Sequence, residues 1–370
     1  FWKYEKEFHI KHRSSNSTNF HGHSQQFTFV EDLCSAIILN YLLLTSMGLS
    51  MYYLVIVLIR DETKYLAGLI AALFFMFNPW TGQNIAMFFP FITFIPLILG
   101  LYIKGLNENK DFKYLILCSL IWWFVSSFSL RNFRGYIFLW IMIVFYLFFF
   151  VIHNRKKIRH ALVSTFILTF LHILLNAHWI LFFFTYILKS TAGSIRVYQA
   201  VSYTHFSSFE TSSTTMVQSI RLLADWFMTA NIKGVPHFPW VTYYQRPLIV
   251  FIGFLLLLSA LMSLLFVLKR NIGQNRHFIF FFFLLLFGYF ITMGKFNPLS
   301  MWLTKNFQLY LLVFKAPSDQ GGLVFILISY SVLLAYSFIF ACRLIKSSFH
   351  RLLVCFLYIL AIVIYGFPII

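Results

Sequence analysis

Residues 323–342, LVFILISYSVLLAYSFIFAC, hold twenty positions without a charge, a Gly or a Pro. About 20 predominantly apolar residues is what an α-helix needs to cross the hydrocarbon core of a bilayer. Working outward, RLIKSSFHR (343–351) brings three basic residues, and 352–370 is apolar again. Upstream, VFKAPSDQGG (313–322) gathers a Lys, an Asp, a Pro and two Gly. Pro317 and the Gly321-Gly322 pair suit a turn that ends an interfacial helix and sends the chain back into the membrane.

The same alternation runs through the chain. Apolar runs at 33–59, 65–80, 85–103, 114–130, 136–152, 162–187, 248–268, 278–293, 323–342 and 352–370 predict ten helices. The composition agrees: 60% hydrophobic, 11% charged and a mean hydropathy of +0.79, where a soluble domain is about one quarter charged. Alternating ten-residue barrel strands are not visible, so the expected fold is all-α, a polytopic transmembrane helix bundle with interfacial helices in its outer loops.

Charge gives the expected sidedness. Loops 60–64, 104–113, 153–160, 269–276 and 343–351 hold 15 of the 29 Lys and Arg in 40 residues. The positive-inside rule places these in the cytoplasm. Residues 1–32, 131–135, 188–247 and 294–322 then face outward from a multi-pass cell membrane protein. Phe1 is not a Met, the opening residues lack the order of a signal peptide, and the chain stops inside an apolar run. It reads as a fragment: 1–32 the tail of an extracytoplasmic loop, 33–370 the bundle.

Two outer segments predict further helices. In SSTTMVQSIRLLADWFMTAN (212–231), Met216, Ile220, Leu223 and Phe227 recur at helical spacing, with Arg221 and Asp225 one turn apart. This predicts an amphipathic helix over 215–230. NPLSMWLTKNFQLYLLVF (297–314) predicts a re-entrant or interfacial helix, because Lys305, Asn306 and Gln308 interrupt it.

Several function classes are disfavoured. The charge of +18 lies largely in loops beside spans, without a basic stripe, zinc ligands or a recognition helix, so nucleic acid is not an expected partner. None of the 11 acidic residues lies at the centre of a span, which counts against an ion-coupled transporter. Cys34, Cys118, Cys342 and Cys355 lie in or beside apolar runs and behave as small hydrophobes. His9, His12, His21 and His23 leave room for a divalent metal ion, although no carboxylate or Cys completes a ligand set among them.

Three polar features share the outward side. Arg131 and Arg134 occupy a very short loop that the charge rule disfavours. They meet either an anionic partner such as a lipid phosphate or merely headgroups. Asn176 and His178, with His172 one turn below, lie in the outer half of an apolar helix. They face either a cavity or an interhelical hydrogen bond. Lys315 and Asp319 flank the turn, as site residues or as a solvated i,i+4 ion pair.

MFNPW (76–80), LLNAHWILFFF (174–184) and FKAPSDQGGLVFILISYSVLL (314–334) together resemble the multispanning GT-C glycosyltransferases. The likeness is closest to the membrane domain of actinobacterial arabinofuranosyltransferases and to related archaeal membrane proteins. It is one of short motifs and span order, covering most of 33–342. The resemblance implies a polyprenyl-phosphate-linked sugar donor and transfer on the outer face to an extracytoplasmic acceptor. It also implies an essential Asp in the first outer loop, which here falls before Phe1; Glu5 and Glu7 are the nearest acids. Lys315 stands where the family has Arg, Asp319 where a basic residue is common, and no Pro follows NAHW shortly after.

On this reading Arg131, Arg134 and Lys315 rim an outer cavity floored by Asn176 and His178, under helices at 215–230 and 300–314. A lipid-substrate transporter or flippase, or a non-catalytic scaffold of the same fold, are the competing readings.

Overall fold

The computed structural model describes residues 22–84, 89–108, 112–128, 133–182, 216–223, 231–232, 235–236, 240–268, 276–292, 298–306, 322–345 and 347–369. The described fold is all-α, apart from one antiparallel ladder of two residues on each side, Asn231–Ile232 with Val235–Pro236. The chain divides into two units, Phe1–Leu42 and Leu43–Ile370; the second contains the bundle.

The apolar runs become α1 (Gly22–Leu58), α2 (Lys64–Met76), α4 (Phe89–Asn107), α5 (Lys113–Phe128), α6 (Phe133–His153), α7 (Ile158–Phe182), α10 (Pro247–Leu268), α11 (Arg276–Thr292), α13 (Gly322–Leu344) and α14 (Ser348–Gly366). Between them lie four short helices, α3 (Pro79–Asn84), α8 (Met216–Ile220), α9 (Val241–Tyr244) and α12 (Pro298–Asn306). Among the described residues six stretches are long and apolar enough to cross a membrane: Ile38–Leu58, Tyr136–His153, Arg155–His178, Pro247–Leu264, Gly322–Leu344 and Ser348–Gly366. Together they point to a multi-pass membrane protein. Lys64–Met76, Ile92–Asn107, Lys113–Ser126 and Arg276–Thr292 are shorter apolar helices.

The stretch that decides the fold is also its centre. Every residue of α13 from Gly322 to Ile339 is buried, with α2, α10, α11 and α14 packed around it. A second group, α4 to α7, packs together and meets the first where α6 touches α11. The closest approach is at Gly322, where an added Cβ would fall 1.9 Å from Thr292 Oγ1 and 2.6 Å from the Gly288 carbonyl oxygen. The GG pair thus ends in a helix contact that admits no side chain. By contrast α14 presents Phe349, Leu352, Phe356 and Leu360, and α7 presents Phe166, Phe170 and Leu174, as exposed stripes at helical spacing. Such stripes are what lipid would cover.

Within this low-dielectric bundle the breaks in helical bonding are filled from side chains. Pro96 interrupts α4, and the Leu97 N–H donates to Ser50 Oγ of α1 at 2.8 Å. The NPW motif solves a second break. Asn78 Nδ2 donates to the carbonyls of Phe74 and Phe75 at 3.1 and 2.9 Å, satisfying the end of α2. Its Oδ1 accepts the Thr81 N–H at 3.0 Å, capping α3, while Pro79 occupies the first helical position. Asn78 is fully buried, and helix geometry alone accounts for it.

The basic loops meet at one end of the bundle. There Arg343 forks onto Asp61 Oδ2, with Nε at 2.9 Å, and Arg276 donates to Asn107 Oδ1 while stacking over Phe150. At the opposite end α2, α11 and α14 terminate and α10 and α13 begin.

Candidate functional site around Arg221

The side chain that this opposite end buries most conspicuously is Arg221. Of the expected amphipathic helix over 215–230, residues 216–223 are described and the rest lies outside the described residues; α8 stops at Ile220. Leu222 adopts a left-handed φ of 57°. The Leu222 N–H donates to the Ser219 carbonyl at 3.1 Å, and the Leu223 N–H to Gln218 at 2.8 Å. These two bonds form a Schellman motif, which usually takes Gly at the left-handed position. A Leu there costs about 1–2 kcal/mol of backbone strain. Leu222 and Leu223 are both buried, and that burial offsets the strain. The turn directs residue 221 into protein rather than along an interface.

Arg221 is only 8% exposed. Its guanidinium donates to the Tyr244 carbonyl at 2.5 Å, and the Tyr365 hydroxyl donates to the Arg221 carbonyl at 2.6 Å. Gly253 makes the approach possible: a Cβ there would sit 3.0 Å from the Tyr365 ring and 3.3 Å from Arg221 Nε. Gly253 is six residues into α10, and the guanidinium lies between it and the Tyr244 carbonyl that precedes that helix. Tyr243 ties the wall together, donating to the Ile364 carbonyl of α14.

Arg221 Nε is buried and makes no hydrogen bond of normal geometry, with the Tyr365 hydroxyl as its polar neighbour, and among the described residues no carboxylate pairs with the guanidinium. A buried cation costs several kcal/mol unless paired, and an unmade bond to a buried donor costs about 1–3 kcal/mol more. A guanidinium carries five donors in a planar fork suited to phosphate or carboxylate oxygens. The arrangement can therefore hold an anion. Sequence reading noted Arg221 only as a neighbour of Asp225; the signal it held was a basic residue between apolar Ile220 and Leu222, and the turn that buries it was not legible.

The residues singled out from sequence are placed differently. Asn176 is fully buried: it accepts the Ser126 hydroxyl at 2.5 Å and donates to the His172 carbonyl at 2.9 Å. His172 bonds through Nε2 to the Tyr136 hydroxyl. The rings of Trp122, Tyr136 and Trp140 lie 4.0, 4.9 and 5.7 Å from it. This network joins α5, α6 and α7, the interhelical alternative that the sequence left open. His178 is exposed, so it does not share a surface with Asn176. Arg134 lies in the first turn of α6, two residues before Tyr136, but its side chain, like Arg131, Lys315 and Asp319, lies outside the described residues. Of the 300–314 helix, α12 covers 298–306 and the remainder also lies outside them.

Among the described residues no three His, Cys, Asp or Glu are grouped as metal ligands. Asp61 is held at the basic end by Arg343, remote from Arg221. A scan against protein-family models finds no match, and neither the curated proteins nor the solved structures give one.

Proposed function

We propose that this chain is a multispanning membrane glycosyltransferase that uses a polyprenyl-phosphate-linked sugar donor on the extracytoplasmic side, with Arg221 as a ligand of the donor phosphate. The observation that carries the reading is the buried guanidinium with an Nε that makes no hydrogen bond, set between Gly253 of α10 and the Tyr244 carbonyl, at the end away from the basic loops. A lipid-linked phosphate carries its charge at the edge of the hydrocarbon layer, within reach of such a group. Charge on the departing phosphate grows during transfer, and a fixed cation in a dry site stabilises that charge more than it stabilises the bound donor. Asn78 and Asn176 are explained by helix geometry, so the proposal rests on Arg221 rather than on those motifs.

Transfer also needs a base for the acceptor hydroxyl. The competing reading is a lipid-phosphate carrier or scaffold that binds without turnover. Full-length protein in nanodiscs, given a labelled prenyl-phosphate sugar, separates the two. Release of prenyl phosphate that falls about a hundredfold in Arg221→Gln supports transfer. Binding or translocation without release moves the assignment to the carrier, and failure to bind prenyl phosphate removes both.

A further inference from the structure

The cations of the basic end are unevenly engaged. Arg343 holds Asp61, Arg276 holds Asn107 and covers the face of Phe150, and Lys104 lies over the Tyr114 ring at 4.4 Å. The turn between α6 and α7 differs. Its sequence, RKKIRH (155–160), brings Arg155, Lys156, Lys157 and Arg159 together, and no Asp or Glu occurs anywhere between Asp111 and Glu210. Among the described residues none of the four makes an ion pair or a side-chain hydrogen bond. The uncharged polar groups beside them turn inward: His153 Nδ1 donates to the Phe149 carbonyl at 2.9 Å and Asn154 Nδ2 to the Phe150 carbonyl at 3.1 Å, closing the end of α6. Arg155, Lys156 and Arg159 are exposed and Lys157 is half-buried.

An apolar stripe begins at the same turn. Ile158, Leu162, Phe166, Phe170 and Leu174 follow at four-residue intervals along α7 and are all exposed, while Ala161, Ser164, Leu168 and His172 face the bundle. From Leu162 to Leu174 the stripe runs about 18 Å, enough for the hydrocarbon of one leaflet, about 15 Å deep. Sidedness alone calls for a basic loop here; it does not call for one free of acids at the head of an exposed stripe. We infer that this turn and the α7 stripe form a docking surface for an anionic phospholipid of the leaflet at this end. Its phosphate lies among Arg155, Lys156 and Arg159, and an acyl chain lies along Leu162, Phe166 and Phe170. The two guanidinium forks suit phosphate oxygens, and the complementarity is of charge above and apolar surface below. Arg221 takes no part in this surface, so the inference stands whether or not the phosphate reading there does.

The test titrates the full chain in neutral detergent with phosphatidylglycerol, with phosphatidylcholine of the same acyl chains and with glycerol 3-phosphate, bound molecules being counted by native mass spectrometry. Wild type is expected to bind phosphatidylglycerol about twentyfold or more tighter than phosphatidylcholine, each cation beside the phosphate giving about a fivefold preference. Arg155→Gln combined with Arg159→Gln should weaken phosphatidylglycerol about twentyfold, leave phosphatidylcholine unchanged and melt as wild type without added lipid. Arg60→Gln combined with Lys64→Gln removes the same charge from a loop that also carries Asp61 and Glu62, and should leave the preference intact. A preference that survives the Arg155 and Arg159 changes overturns the inference, as does one lost equally in the Arg60 and Lys64 variant, the effect then being net charge. Glycerol 3-phosphate binding as tightly as the lipid also overturns it, because the stripe then contributes nothing.

Discussion

At the scale of single residues, Asp61 shows how a polar pair is placed at the end of an apolar bundle. Burial pushes its carboxyl up, but the Thr63 N–H, the Arg343 guanidinium and the Thr63 hydroxyl together outweigh that and hold it below the usual carboxylate range. A carboxyl whose folded pKa is depressed adds stability that is fully present above its unfolded value near 4, and loses it as pH falls through the folded value. Asp61→Asn should therefore lower unfolding stability at pH 7 by about 1 kcal/mol or less, since the pair is partly solvated. The gap should be smaller at pH 3. Urea unfolding in detergent at the two pH values measures it, and an equal gap at both would mean that the charge contributes nothing. Residues of this kind were partly legible: Asp61 and Arg343 were read as loop charges on one side, but not as partners 282 positions apart. Arg221 was legible as a charge and not as a buried one, because the turn that buries it places Leu222 where sequence rules look for Gly.

At the scale of elements, periodicity located the ten apolar helices among the described residues, six of them long enough to cross a membrane, since runs of Phe, Leu and Ile have few other structures open to them in an apolar medium. It did not locate the breaks. The sequence pattern over 215–230 keeps helical spacing past Ile220, yet tertiary packing of Leu222 and Leu223 ends α8 there. MFNPW read as a family motif, whereas Asn78 bridges the end of α2 and the start of α3. The GG pair read as a turn, and its second Gly proves to be a packing surface. Gly322→Ala should cost about 2–3 kcal/mol, because the new methyl meets Thr292 Oγ1 at 1.9 Å and the Gly288 carbonyl at 2.6 Å. Thr292→Ala removes the first obstacle and leaves the second, which is backbone, so the double variant should recover only part of the loss. Full recovery would show that α11 and α13 can separate more easily than the contact implies.

At the scale of the whole molecule, the loops richest in Lys and Arg sort to one end and Arg221 to the other, and the functional proposal depends on which end faces out. The positive-inside rule puts the basic end in the cytoplasm. Single cysteines at Glu62, in the basic loop after α1, and at Gln245, an exposed position after α9, test this in intact cells on a background in which the four native cysteines are replaced. A membrane-impermeant maleimide should label Gln245→Cys and spare Glu62→Cys until the cells are permeabilised. The reverse pattern would turn Arg221 toward the cytosol. Sugars there are abundant as soluble nucleotide diphosphate donors, so a lipid-linked donor would lose its advantage, and a buried cation would have a different set of phosphates to meet. Orientation thus discriminates between donor classes, which the geometry around Arg221 alone does not separate.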